Sequence, residues 1–486
     1  MIDMSKMVIS MVLLAGAVIL YTVYLFLKKN FNGLSWEEIV FHLKVPMKGT
    51  SNEMIFDYFR SYGILMGIGV CLAIAGSILC HFIEVTGILL VAAIVLFVMA
   101  VAVILNSFDT FGCLMAQRKE SSFLEEEAAS VTQGLLTFPE KKRNLIYIFL
   151  ESMESTFSSK EEGGAMDENR ISELTELAKE GIHFSENGKL GGATPTRGAS
   201  WTTGAMVSQT CGYPLMISLG GKNYKSKKAA FMPGATAIGD VLKKEGYEQE
   251  IMVGSDLTFG GRKMYFQQHG DYFVYDYPYA KEQGKIPKDY YEWWGFEDKK
   301  LFAFAKEEIL RLAKGDKPFH FSLLTVDTHH IGGFACEDCE NHFDRQYDNV
   351  LACSSKRVEE FVRWIQSQDF YQDTTIVISG DHCTMDNNYI REQYDGSVPR
   401  KVYSCILNGV AEPVSGTKRA FYPMDMYPTT LAAMGVKIQG DRIGLGTNLF
   451  SDKPTILEEY GDEKVQKELA KSSAFYKQRI LGEKKK

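Results

Sequence analysis

Three apolar runs before residue 106 constrain this chain more than any other feature. Met7 to Leu27, Tyr62 to Phe82 and Thr86 to Leu105 are each long enough to cross a bilayer as a helix. The first is too long for a removable signal peptide and lacks a small-residue cleavage site. The short gap between the second and third makes them a helical hairpin. Three crossings put the two ends of the chain on opposite sides of a membrane. The loop from Lys28 to Arg60 carries Lys28, Lys29, Lys44, Lys48 and Arg60, which the positive-inside rule assigns to the cytoplasm, together with everything after the third span. Its acidic residues, Glu37, Glu38, Glu53 and Asp57, count for little under that rule.

The expected organisation is a membrane region over 1–110, with spans at about 7–27, 62–82 and 86–105, then a polar linker over 111–142 that includes Glu125, Glu126 and Glu127. A soluble domain follows over 143–455, and a charged tail over 456–486 reads as a solvated surface helix. The net charge of −8 argues against a nucleic-acid partner, which demands a basic face. It leaves room for a single phosphate ester held by a metal ion.

From Asn144 short β-branched and aromatic runs alternate with helical stretches. The strands are Leu145–Leu150, Glu250–Val253, Phe319–Val326, Thr375–Ser379 and Val402–Leu407. The helices between them include Ile171–Glu180, Ala235–Glu245, Asp298–Ala313 and Ser354–Gln368. This alternation means an α/β domain with a mostly parallel, buried central sheet flanked by helices. Ligands of such sheets sit beyond the carboxyl ends of the strands. Those ends carry Glu151-Ser152, Gly254-Ser255-Asp256, Asp327-Thr328-His329-His330 and Gly380-Asp381-His382. Carboxylates and imidazoles converging on one edge suit a divalent cation such as Mn²⁺, Mg²⁺ or Zn²⁺.

Between the first two strands, Gly191 to Met206 is dense in glycine and hydroxyl residues before an apolar run. It reads as a loop feeding a helix N-terminus, which favours an anionic phosphate. A hydroxyl there is either a helix cap or a nucleophile activated by the metal. Cys336-Glu-Asp-Cys339 reads as a redox pair, a zinc half-site or, in an oxidising compartment, a local disulfide, with a structural role preferred.

Four stretches together resemble the lipoteichoic acid synthase and phosphoglycerol transferase I group of the sulfatase and alkaline-phosphatase superfamily. They are Asn144–Ser152 (NLIYIFLES), Gly198–Gly212 (GASWTTGAMVSQTCG), Ser379–His382 (SGDH) and Gly444–Phe450 (GLGTNLF). The resemblance spans roughly Asn144 to Ser451, and three preceding membrane helices fit it. It implies a sulfatase-like domain outside the cytoplasmic membrane, against the charge rule. It also implies a Mn²⁺-type ion held by Glu151, a nucleophilic threonine, Asp381 and His382, with His329 and Arg262 on the glycerophosphate group. Thr202, directly after Trp201, is the expected nucleophile, with Ser200 and Thr194 as alternatives. Alignment of the nucleophile with Ala199 would mean an inactive copy. The stretch Ala193-Thr194-Pro195-Thr196-Arg197 has alanine where sulfatases proper carry the cysteine of C-x-P-x-R, which excludes formylglycine chemistry there.

The implied reaction moves glycerophosphate from phosphatidylglycerol to a teichoic acid or envelope glycan acceptor through a covalent threonine intermediate. The alternatives are a phosphodiesterase or phosphoethanolamine transferase with the same centre, and a catalytically dead binding homologue.

Overall fold

The computed structural model describes residues 2–49, 52–132, 134–217, 220–226 and 228–484. They form two compact units. One is built on three long helices, α1 (Ile2–Asn30), α3 (Asn52–Phe82) and α4 (Thr86–Ser107), while α2 (Trp36–Lys44) lies between the first two in sequence. The long helices are apolar enough to cross a membrane over Met4–Asn30, Met54–Phe82 and Thr86–Ser107. The second begins at Asn52, not near Tyr62, because the more polar stretch around Asp57 and Arg60 continues the same helix. Outward apolar side chains such as Ile64 and Ile88, 80% and 73% exposed, suit lipid rather than water. The hydroxyls of Ser10, Thr22 and Ser77 donate to carbonyls one turn back, so no span carries them unsatisfied. Helix α1 packs on α3 and α4. Gly69 meets Val18 so closely that an added Cβ would lie 2.7 Å from it, the small-residue contact typical of membrane helix pairs.

The second unit gathers Glu37–Thr50, Ala116–Thr384 and Tyr389–Lys486. Its centre is a seven-stranded sheet. In chain order the strands are β1 (Asn144–Leu150), β2 (Gly192–Ala193), β3 (Glu248–Val253), β4 (Phe273–Tyr275), β5 (Phe319–Leu324), β6 (Thr374–Gly380) and β7 (Val402–Leu407). In space they run β2-β7-β6-β1-β5-β3-β4. β1, β3, β4, β5 and β6 are parallel; at one side β7 runs antiparallel to β6, and β2 antiparallel to β7. From Leu145 to Leu150 every residue of β1 is fully buried, as a strand covered on both faces must be. Helices α5 (Ser172–Glu180), α6 (Thr202–Cys211), α7 (Arg262–Gln268), α8 (Asp298–Ala313) and α9 (Gln346–Gln366) belong to this unit. The fold is the expected α/β class.

Two expectations are corrected. The tail is not a solvated helix: it breaks into short helical pieces whose Ile456, Val465, Leu469, Tyr476 and Ile480 join the hydrophobic core. The stretch read as linker likewise buries Phe123 and Leu124.

The core also holds a histidine with a measurable consequence. His320 on β5 is buried between the Tyr272 hydroxyl, 3.0 Å from Nδ1, and the Ser322 hydroxyl, 3.0 Å from Nε2. Burial pushes its pKa down to about 3. Below the ordinary histidine pKa of about 6.5 the unfolded chain takes up a proton that folded His320 refuses. Its contribution is therefore complete above that pH and is lost as pH falls toward the folded value. Thermal unfolding of the full chain from pH 7 to pH 4 should show a loss with a slope of up to about 1.4 kcal/mol per pH unit from this group. His320→Gln should flatten that slope; an unchanged slope in the variant defeats the assignment.

Candidate active site

The carboxyl ends of β1 and β6 lie side by side, with Leu150 paired to Gly380, so Glu151 and Asp381 emerge together. The turn after β1 is tight: Ser152 has φ 53°, a left-handed conformation uncommon for a residue with a Cβ. It is held there by its own N–H, which donates to Asp381 Oδ1 at 2.8 Å, and by its hydroxyl, which donates to Glu151 Oε1 at 2.7 Å. Backbone strain of this kind collects at functional sites. The His382 N–H donates to Asp381 Oδ1 at 2.7 Å. Asp381 Oδ2 is left buried with no hydrogen-bond partner.

His382 places Nδ1 2.9 Å from the Cys383 carbonyl, so Nδ1 carries the proton and Nε2 presents its lone pair. That Nε2 lies 3.6 Å from Glu151 Oε1 and 3.4 Å from Asp381 Oδ2. Thr202, the first residue of α6, puts Oγ1 3.4 Å from Glu151 Oε2 and 3.4 Å from His382 Nε2. One ligand atom from each of Glu151, Asp381 and His382 falls within 4.8 Å of the others, and all three residues are buried. Two adjacent buried carboxylates, one with an orphaned oxygen, are a donor set for a cation.

The electrostatics agree. Burial, and then the Glu151 carboxylate beside it, hold Asp381 well above the usual carboxylate range. Burial opposes charge on Glu151 too, but His329 and His382 outweigh it and keep that carboxyl low. Burial likewise opposes charge on His382, yet Asp381 and Glu151 raise it.

Arg262 opens α7 after two consecutive left-handed glycines, Gly260 (φ 66°) and Gly261 (φ 73°). A Cβ on Gly260 would come within 2.6 Å of Thr203 Oγ1, so only glycine lets this turn close on the start of α6. The guanidinium donates to the Phe259 carbonyl, the Ser255 hydroxyl and the Asp256 carbonyl at 3.1–3.3 Å. Burial lowers its pKa to about 10, so it stays charged. His329 stacks on His330 and packs at a tilt against Trp294, with centroids 4.5 Å away in each case, and its Nδ1 meets the His330 carbonyl at 2.6 Å. Burial holds it below the ordinary imidazole pKa.

Not every strand-end acid joins the cluster. Asp327 accepts from the Asp298 N–H and pairs with Arg357, and Asp256 caps the Thr258 N–H and pairs with Lys48. Thr194 Oγ1 accepts from Lys401 Nζ at 2.7 Å.

A part of the site was invisible in sequence. From Glu37, α2 lies on the same unit as the sheet: Phe41 packs on Trp201, His42 stacks on Phe259, and Glu37 pairs with Arg197. Lys44 Nζ donates to the Gly221 carbonyl at 2.7 Å, and Lys48 Nζ lies 3.3 Å from Asp256 Oδ2. Burial, and then Arg262, lower His42 to about 4. The signal for this was the apolar run Ile39-Val40-Phe41, with Trp36 and Val45 beside it, in the inter-span loop.

Comparison with known proteins bears on the family and the fold. The chain is 31% identical over 258 residues to phosphoglycerol transferase I of Xanthomonas campestris pv. campestris, a match covering 51% of this chain and 35% of that protein. It is 31% identical over 329 residues to phosphoglycerol transferase I of Salmonella choleraesuis, covering 65% and 40%. The matched region thus spans well under half the length of these relatives. Among solved structures, the lipoteichoic acid synthase LtaP of Listeria monocytogenes superposes with a TM-score of 0.51 at 16% identity, covering 68% of this chain and 82% of that one. The integral membrane phosphoethanolamine transferase EptA of Neisseria meningitidis does so with a TM-score of 0.51 at 11% identity, covering 86% and 83%. Both likenesses bear on the fold. Residues 143–436 match the sulfatase family over more than half of the chain, and the chain belongs to that family.

Proposed function

We propose that this chain is a membrane-anchored phosphoglycerol transferase, working on the outer face of the cytoplasmic membrane through a covalent Thr202 intermediate. The observation that carries the reading is the convergence of Thr202 Oγ1, Glu151, Asp381 and His382 at the sheet edge. The relatives named phosphoglycerol transferase I favour phosphatidylglycerol as donor and an envelope glycan or teichoic acid as acceptor. On this reading residues 1–110 anchor the protein and the sheet unit holds the chemistry.

Glu151, Asp381, His382 and Thr202 would hold the ion, for which oxygen-rich ligation favours Mn²⁺ over Zn²⁺. A divalent ion bound there lowers the Thr202 hydroxyl pKa and neutralises charge on the phosphoryl oxygens. The other roles fall to the chain. Arg262 grips the phosphoryl group with a planar, charged donor set. Thr202 Oγ gives up its proton toward Glu151 Oε2 and attacks phosphorus. The bond from phosphorus to the diacylglycerol oxygen breaks, and that oxygen takes a proton from His329, whose imidazolium is favoured once the phosphoryl anion is bound. The acceptor hydroxyl then gives its proton to His329 and attacks the glycerophospho-threonine; the bond from phosphorus to Thr202 Oγ1 breaks, and Thr202 takes back the proton held at Glu151.

The outward orientation opposes the charge rule. Two of the five basic residues counted by that rule, Lys44 and Lys48, are engaged by a carbonyl and a carboxylate of the sheet unit. They have a structural reason to be basic whichever side they occupy.

The test is full-length protein with Mn²⁺ and head-group-labelled phosphatidylglycerol, following diacylglycerol release and the mass of the peptide around Trp201. Metal-dependent release with a glycerophosphate adduct supports the transferase. Free glycerophosphate as the main product points to a phosphodiesterase, turnover of phosphatidylethanolamine alone to the related transferase, and neither signal with metal bound to a dead homologue. Arg262→Lys should keep a charge but lose the planar fork, lowering kcat/KM by about 10²-fold. An unchanged kcat/KM removes Arg262 from the phosphoryl site.

A further inference from the structure

The second cluster of metal-binding side chains lies away from Thr202 and is built from sulfur. Cys336 and Cys339 lie in the loop after β5, and Cys353 lies in the second turn of α9. The sequence pairs the first two; the fold adds the third. Cys336 Sγ is 3.5 Å from Cys339 Sγ and 3.8 Å from Cys353 Sγ, and all three sulfurs lie within 4.8 Å of one another. Zinc–sulfur bonds of about 2.3 Å at the tetrahedral angle set sulfurs about 3.8 Å apart. The two edges that meet at Cys336 therefore have the length that a tetrahedral thiolate site requires.

One cation touches the trio directly. Arg357, one turn beyond Cys353, donates to Cys336 Sγ at 3.2 Å. Lys299 lies 3.1 Å from Asp338 Oδ2, between the two loop cysteines in sequence. Neutral thiols are weak donors and acceptors and have little reason to gather in threes. A disulfide would use two of them and strand the third.

We propose that Cys336, Cys339 and Cys353 bind a thiophilic divalent cation, zinc by preference, with a water or an exogenous ligand in the fourth position. The ion would pin the 336–339 loop to α9. Arg357 carries that constraint further, because its other terminal nitrogen donates to Asp327 Oδ2 at 3.3 Å, two residues before His329. The cation is thus structural and distinct from the oxygen-rich centre at Glu151. Soft thiolates and hard carboxylates would sort zinc and manganese between the two sites.

Cobalt(II) is the probe, since cobalt–thiolate bonds give a charge-transfer absorption that carboxylate and imidazole ligands do not. Full-length protein, purified with reductant and stripped with chelator, should develop that absorption on cobalt titration. Glu151→Ala should retain it and Cys353→Ser should lose it. As a check that needs no variant, zinc should protect these three thiols of the wild-type protein from maleimide labelling. Absence of the absorption in reduced wild-type protein overturns the proposal. So does a disulfide between any two of the three in protein isolated without reductant, which is the competing fate of paired thiols outside a cytoplasm.

Discussion

Alanine at Thr202 is expected to lower diacylglycerol release by at least about 10⁴-fold and to remove the covalent adduct from the loop peptide. The size follows from the role, because losing a nucleophile deletes a reaction path rather than weakening a contact. Ser200→Ala and Thr194→Ala should leave the adduct in place. Thr194 already has Lys401 Nζ as its partner, and of the three candidates Thr202 is the one whose hydroxyl reaches Glu151 and His382, at 3.4 Å each. Thr202→Ser keeps the oxygen and should keep the adduct. An adduct that persists on Ser200 in Thr202→Ala protein would move the nucleophile. Ala199, in the same loop, is buried, and its N–H closes a turn onto the Thr196 carbonyl.

The second large effect is at Asp381, and its sign depends on the metal. Asparagine there keeps an oxygen to accept from the Ser152 and His382 N–H groups, so local geometry is retained. Without metal, wild-type protein buries two carboxylates in mutual repulsion, and above neutral pH Asp381→Asn should melt no lower than wild type. Excess Mn²⁺ should reverse the order. A ligand at 100 times its Kd adds about 2.7 kcal/mol to the protein that binds it and nothing to one that does not. Turnover should fall in parallel by at least about 10³-fold. An equal Mn²⁺-induced rise in Tm for both proteins would show that Asp381 is not a ligand.

Much of this was legible in the chain. A buried sheet needs uninterrupted apolar strands, so β1, β5, β6 and β7 stand out; the rule that ligands lie at strand ends gathers Glu151, Asp381 and His382 together with Asp256, Asp327, His329 and His330, and the family resemblance narrows that set. β3 was read short because it starts with Glu248 and Gln249. Their polarity is resolved only by distant partners: Arg311 for Glu248 and Glu250, and the Gly239 and Gly270 carbonyls for Gln249. α9 was read eight residues late for the same reason, since Asp348 and Asn349 are buried polar groups near its start. Cys353 and α2 were missed because sequence spacing reports neighbours along the chain. Their partners lie 17 and more than 150 residues away.

The packing of α2 also bears on how this protein can be dissected. Phe41 and Val45, 1% and 0% exposed, belong to the same hydrophobic core as Trp201 and Phe231, yet they come from the stretch between the first two spans. A soluble fragment begun after the third span would carry the whole sheet and still lack that piece of its interior. It would present an open apolar trough where Phe41 and Val45 belong, together with an Arg197 that has lost Glu37 and an Asp256 that has lost Lys48. Such a fragment should be sticky in solution and poor as a substitute for the intact enzyme. Supplying residues 36–48 as a separate peptide, or grafting them by a short linker, is the rational way to obtain a well-behaved soluble form.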